Sequence, residues 1–150
     1  MMAGYKHILV AADANGGSEH VVERAGWIQS QSQCSVTLLY VLEHFPEDLP
    51  AEMVPPEGES RFDWIREKAE NSLTELAKQS GVIKPGIRVE QGSLRPQILE
   101  VARELKTDLI LVGAHEHHWL ALLWPSTADG VVHTAPCDVL SIHLPASDYS

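Results

Sequence analysis

The residues most able to do chemistry stand together at His115-Glu116-His117-His118, with His133 downstream. Imidazoles and a carboxylate are ligands for zinc or a similar ion, and a bound ion would make this loop the centre of a metal-dependent hydrolase. Geometry opposes that use. Consecutive residues on a loop cannot all point at one centre, and no second cluster has the spacing of a metal motif. A structural or solvent-exposed role for the histidines is the favoured reading, and no metal site is assigned. A Ser/His/Asp set can be assembled on paper from Ser126, His115 and Asp13, but no nucleophile-elbow motif accompanies it. There is also no Gly-x4-Gly-Lys-Ser/Thr run to wrap phosphates. No catalytic residue is assigned, and the chain is read as non-enzymatic.

What positions these residues is the stretch 108–140. Its apolar run Leu109-Ile110-Leu111-Val112, closed by Gly113, has the form of a strand buried on both faces. A polar and aromatic loop follows, and Ser126-Thr127 then open a short helical segment whose free N–H groups a hydroxyl can cap. A second apolar run, 139–144, comes after Pro136. Strand, loop, capped helix and strand make a βαβ unit, and such a unit holds ligands where its loop meets the helix N-terminus. Any ligand is expected there.

The preceding chain repeats that alternation. Ile8 to Ala12 form an apolar run that ends at Asp13, and Ala14-Asn15-Gly16-Gly17-Ser18 is turn chemistry. A helix should follow, with Val21, Val22, Ala25, Trp27 and Ile28 at helical spacing and fraying through the Gln/Ser run 29–33. Residues 36–42 form a second apolar strand. Segment 43–60 carries Pro46, Pro50, Pro55 and Pro56 among acidic side chains, which excludes a continuous helix and favours a solvated loop. The stripe Ile65, Ala69, Leu73, Leu76 and Ala77 predicts a helix that Gly81 stops. Residues 86–91 alternate apolar and polar, as an edge strand does. A last helix precedes Leu109, with Ile98, Leu99, Val101, Ala102 and Leu105 toward the core. Near-continuous apolar strands separated by helices predict an α/β fold: a doubly wound, five-stranded parallel sheet with helices on both faces.

The totals set limits. Residues 1–150 are read as one domain ending in a polar tail, 145–150, and a chain of that size buries roughly 70% of its unfolded surface. The net charge of −10, with no basic cluster, argues against a nucleic-acid partner. No signal peptide is read at the start, and no apolar stretch nears the roughly 20 residues of a membrane span, so no membrane partner is expected. Cys34 and Cys137 form no pattern and should be reduced and buried in a cytoplasmic chain. Trp27 and Trp64 fall on helices and should be core or half-buried. Trp119 and Trp124 fall in the loop after Gly113, as plugs or partner contacts.

The wording of three segments resembles the universal stress protein family. These are the opening Tyr5-Lys6-His7-Ile8-Leu9-Val10-Ala11-Ala12-Asp13, the late Ala135-Pro136-Cys137-Asp138-Val139-Leu140, and the frame between them. That frame runs Gly113, two residues, Glu116, nine residues, Ser126, Thr127. Its counterpart in the family is a glycine signature that cradles a nucleotide phosphate chain. The resemblance implies a Rossmann-like sheet of order 3-2-1-4-5, with a crevice between strands one and four. It implies a nucleotide site of Asp13, Val41, Gly113, His115, Ser126 and Thr127, and a homodimer joined through the edge strand 139–144. Glu116 and Ser126, however, replace two glycines of the signature, and no Lys or Arg lies between Asp108 and Leu140. Phosphate binding needs bare backbone and positive potential. His115-x-x-x-Trp119 resembles the A-type branch of the family, which implies no ATP binding. The expectation is a cytoplasmic stress-response homodimer with a degenerate nucleotide site and no cofactor, its protein partners unknown. The alternative is an ATP- or AMP-binding stress regulator.

Overall fold

The computed structural model describes residues 4–12, 18–43, 60–115 and 135–144. In chain order the elements are β1 (His7–Ala12), α1 (Ser18–Ser32), β2 (Ser35–Leu42) and α2 (Arg61–Gln79). They are followed by β3 (Gly86–Gln91), α3 (Leu94–Glu104), β4 (Leu109–His115) and β5 (Asp138–Leu144). The five strands form one parallel sheet of order β3-β2-β1-β4-β5. The expected fold class and strand order are both found. Residues 44–59 of the loop expected over 43–60 and the helix expected at Ser126 lie outside the described residues.

Alternation along each strand sorts the core into two clusters, one per face. Ile8, Val10, Val36, Leu38, Leu109 and Leu111 face α1 and α2. Leu9, Leu39, Val41, Ile110 and Val112 face α3, packing on Ile98, Val101 and Ala102. The middle strands have no solvent-facing side, which is why their apolar runs are continuous. Gly81 stops the α2 segment at φ +81°, where a Cβ would be strained. The Gly81 and Val82 N–H groups return to the Lys78 and Ala77 carbonyls at 3.3 and 3.0 Å. Ser60, with its hydroxyl accepting from the Asp63 N–H at 3.0 Å, caps the other end. No helix among the described residues is long and apolar enough to cross a membrane.

Two expectations for α1 are overturned by one cause. The helix does not fray at 29–33 but runs to Ser32, and Trp27 is not buried but 61% exposed. The buried stripe is Ser18, Val21, Val22, Ala25, Gly26 and Gln29. At roughly 100° per residue Trp27 lies on the opposite side of that stripe. Gln29 is the unforeseen member. Its Nε2 donates to the Cys34 and Ile83 carbonyls at 3.1 and 2.9 Å, and its Oε1 accepts from the Ile83 N–H at 2.8 Å. This clamp ties the end of α1 to the segment before β3. Gly26 allows the approach, since a Cβ there would stand 2.8 Å from the Ser80 carbonyl oxygen. Gln29→Leu should therefore lower the unfolding free energy by roughly 2–3 kcal/mol in urea titration, because it strands buried backbone groups. A loss below about 0.5 kcal/mol would mean that water replaces the amide without cost.

Trp64 is half-buried as expected, with the Lys68 ammonium 5.4 Å from its ring centre. Cys34 is buried on the α1 face and Cys137 half-buried on the α3 face, so only the first meets the expectation of burial. Both thiols are free, and burial is the main cause that raises each above its ordinary pKa. Thiolate, the reactive form, is correspondingly scarce.

Candidate functional site

The candidate site is the crevice at the carboxyl end of the sheet, where strand order reverses direction on either side of β1. β1 pairs with β2 along its whole length, from His7↔Ser35 to Ala12↔Tyr40. Its pairing with β4 covers only Ile8↔Leu109 to Val10↔Leu111. Beyond that point no pairing of Ala11 or Ala12 with β4 is found among the described residues, while β4, paired with β5 along its whole length, continues to His115. Ending one ladder early leaves backbone groups facing a gap, and that gap is what a doubly wound sheet offers a ligand.

Around it the sequence-derived residues fall as follows. Val41, near the end of β2, is buried among Leu39, Ile110 and Val112. Its side chain is core, which leaves only backbone for a ligand. Gly113 is buried within β4 and pairs with Ile142. The strand does not close there, as the sequence suggested, but runs on to His115 opposite Leu144. Ladder pairing to β5 outlasts the apolar run and holds these two extra residues. Asp13 directly follows the last residue of β1 but lies outside the described residues, as do Glu116, Ser126, Thr127, His117, His118, His133 and Trp119. Val41, Gly113 and the His115 backbone are therefore brought to one end of the sheet, on strands flanking β1. Among the described residues no group of His, Cys, Asp and Glu is arranged to hold a metal ion.

One residue at this end was missed. Glu43, just past β2, accepts the Leu94 N–H through Oε2 at 3.4 Å. It caps α3, whose own N-cap residue Ser93 makes no side-chain bond. A carboxylate at a helix N-terminus is favourable, and this one lies at the carboxyl end of the sheet, just past β2. No local signal pointed to it, because donor and acceptor are 51 residues apart in sequence.

The opposite end of the sheet is a structural anchor. Asp108 accepts the Lys6 and His7 N–H groups at 2.8 and 2.9 Å, fastening β1 to the turn before β4. The Tyr5 hydroxyl donates to Asp138 Oδ2 at 3.0 Å, fastening β5 as well, and that bond is the first cause of a raised tyrosine pKa.

A model of the universal stress protein family matches residues 4–143. The chain is 33% identical over 140 residues to universal stress protein A homolog 1 of Coxiella burnetii, covering 93% of this chain and 97% of that one. In three dimensions it is similar to a universal stress protein from Lactobacillus plantarum, with TM-score 0.69 and 23% identity over 94% of this chain and 99% of the other. It is also similar to a universal stress protein solved in complex with cAMP, with TM-score 0.66 and 24% identity over 93% and 98% of the two chains. Sheet order, splayed crevice and sequence agree, and the chain belongs to the universal stress protein family.

Proposed function

We propose that this chain serves as a cytoplasmic, non-enzymatic, homodimeric stress-response protein whose nucleotide crevice is degenerate. The observation that carries this reading is Glu116, a carboxylate at the place of the second glycine in the phosphate-cradling frame. Glu43 adds a second acid at the same end of the sheet. Between Asp108 and Leu140 no Lys or Arg offsets them, and the chain as a whole carries −10. A polyphosphate bound along that frame would meet a carboxylate where the family signature has a glycine, and like charges repel. The homodimer is supported by β5, an edge strand bearing Val139, Leu140 and Ile142.

The second reading, an ATP- or AMP-binding regulator, draws support from Gly113 and Thr127, which keep the signature, and from the cAMP held by a neighbour of the same fold. Thermal denaturation with millimolar ATP or AMP, with and without Mg2+, separates the two. A ligand at a hundred times its Kd stabilises by roughly 2.7 kcal/mol, a rise in Tm of roughly 5–10 °C for a domain of this size. The expected result is no rise under any of these conditions. A rise of that size with Mg2+ present would replace the first reading by the second.

A further inference from the structure

No stretch of the sequence is basic, but the fold gathers lysines from three distant segments along the amino end of the sheet. Lys84 stands just before β3, Lys6 just before β1 and Lys106 just before β4. Strand pairing sets them in a row. The Lys6 carbonyl accepts the Ser35 N–H at 2.9 Å and the Lys6 N–H donates to Asp108 at 2.8 Å, so Lys6 lies between the starts of β2 and β4. Gly86 pairs with Thr37, which puts Lys84 beside the start of β2, on the side away from β1. Three strand spacings separate the ends of the row, roughly 14 Å between backbones. Lys78 and Arg103, in the last turns of α2 and α3, flank it on the two faces of the sheet.

The described fold makes no use of these charges. All five residues are exposed, and none of their side chains forms an ion pair or hydrogen bond among the described residues. Nor are they needed as caps. Backbone N–H groups of Ser80, Gly81 and Val82 close α2, and those of Leu105, Lys106 and Thr107 close α3. Lys84 and Lys106 stand at φ +50° and +54°, where a glycine would be unstrained, so turn geometry gives no reason for a lysine. The carboxylates nearby are engaged: Asp108 with the Lys6 and His7 N–H groups, Asp138 with the Tyr5 hydroxyl and Glu104 with Arg88. The chain on the other side of the strands is of opposite sign. Segments 13–17, 44–59 and 116–134, which follow the carboxyl ends of β1, β2 and β4, hold eight Asp or Glu and no Lys or Arg. A chain of net charge −10 thus keeps free positive charge at one end, and such a separation steers a charged partner.

We infer that the amino end of the sheet is a docking surface for an extended acidic segment of a partner protein, with Lys84, Lys6 and Lys106 as its contacts. Alternate side chains of an extended segment face one way, and three acids at alternate positions span roughly 13 Å. That length matches the row. A short acidic segment touches this end alone, whereas a long phosphate backbone would run on toward the acidic remainder of the chain. The surface lies at the end of the sheet opposite the crevice, so it stands apart from the reading of the nucleotide site.

Fluorescence anisotropy with a labelled peptide of alternating Glu and Thr, at low salt and with the full chain, tests this. Wild type is compared with a variant carrying Lys6→Gln, Lys84→Gln and Lys106→Gln. The control carries Arg24→Gln, Arg61→Gln and Arg95→Gln, which changes net charge equally at exposed positions but leaves the row intact. All six positions are exposed, so the three proteins should share one urea midpoint. The expected result is a peptide Kd raised roughly tenfold in the lysine variant and by less than about twofold in the control. Equal weakening in both variants would overturn the assignment, because net charge alone would then account for binding. A wild type that leaves the peptide free would overturn it too, as would one that binds an oligothymidylate of equal charge more tightly than the peptide.

Discussion

Leu111→Ala should cost roughly 3–5 kcal/mol of unfolding free energy, the range for emptying a leucine site in a core that cannot collapse around the gap. Leu111 is wholly buried, and it sits on β4 with Val10 of β1 paired to one side and Leu140 of β5 to the other. Ladders on both sides fix the backbone, and neighbouring side chains cannot swing in to refill the volume. Domains of ordinary stability hold 5–15 kcal/mol, so this one truncation removes a large share. Urea denaturation should show a lower midpoint with unchanged slope. Ile83→Ala is the control, since Ile83 is 68% exposed and its loss should change stability by no more than about 0.5 kcal/mol. A cost below about 1.5 kcal/mol at Leu111 would mean that the sheet relaxes into the cavity, against the rigidity the two ladders imply.

The double change Glu116→Gly with Ser126→Gly should raise affinity for AMP and ATP by roughly a hundredfold. Two unit charges ~5 Å apart near a protein surface repel by roughly 3 kcal/mol at an effective dielectric of about 20, and that energy is about two decades of affinity. The changes also restore glycine at the two positions where this chain departs from the family signature. Titration calorimetry of wild type and variant with Mg2+ checks the difference. An unimproved variant would show that bulk rather than charge closes the crevice, which shifts the cause to Trp119, Leu120, Leu122, Leu123 and Trp124 of the same loop. Tight binding by the wild type would refute the degenerate site outright.

Reading the sequence succeeded where one residue's environment depends on its near neighbours and failed where it depends on a distant segment. The stretch Leu109-Ile110-Leu111-Val112 announced a strand covered on both faces, and both faces are indeed buried. The end of α2 was legible because Gly81 supplies the left-handed conformation that a closing turn needs. The α1 stripe was misread because Trp27 is apolar and Gln29 is polar, and local rules sort side chains by those types. In the folded chain Gln29 is buried because carbonyls at Cys34 and Ile83 and an N–H at Ile83 are there to receive it. Nothing within α1 predicts those partners.

At the candidate site the division is the same. Gly113 and the frame to Thr127 could be counted off the chain, and so could Glu116, since a motif is a local spacing. Composition and periodicity by themselves determined an α/β chain of parallel strands with helices between them, because burial of continuous apolar runs admits few other solutions. The strand order came from family resemblance, and its physical cause belongs to the tertiary structure. Only there does the β1–β4 pairing end at Val10, Glu43 reach α3, Arg88 of β3 meet Glu104 of α3, and Trp27 turn outward from the core. Each of these is a meeting of residues far apart in sequence, and pairings between distant segments are decided by packing, which local preferences do not encode.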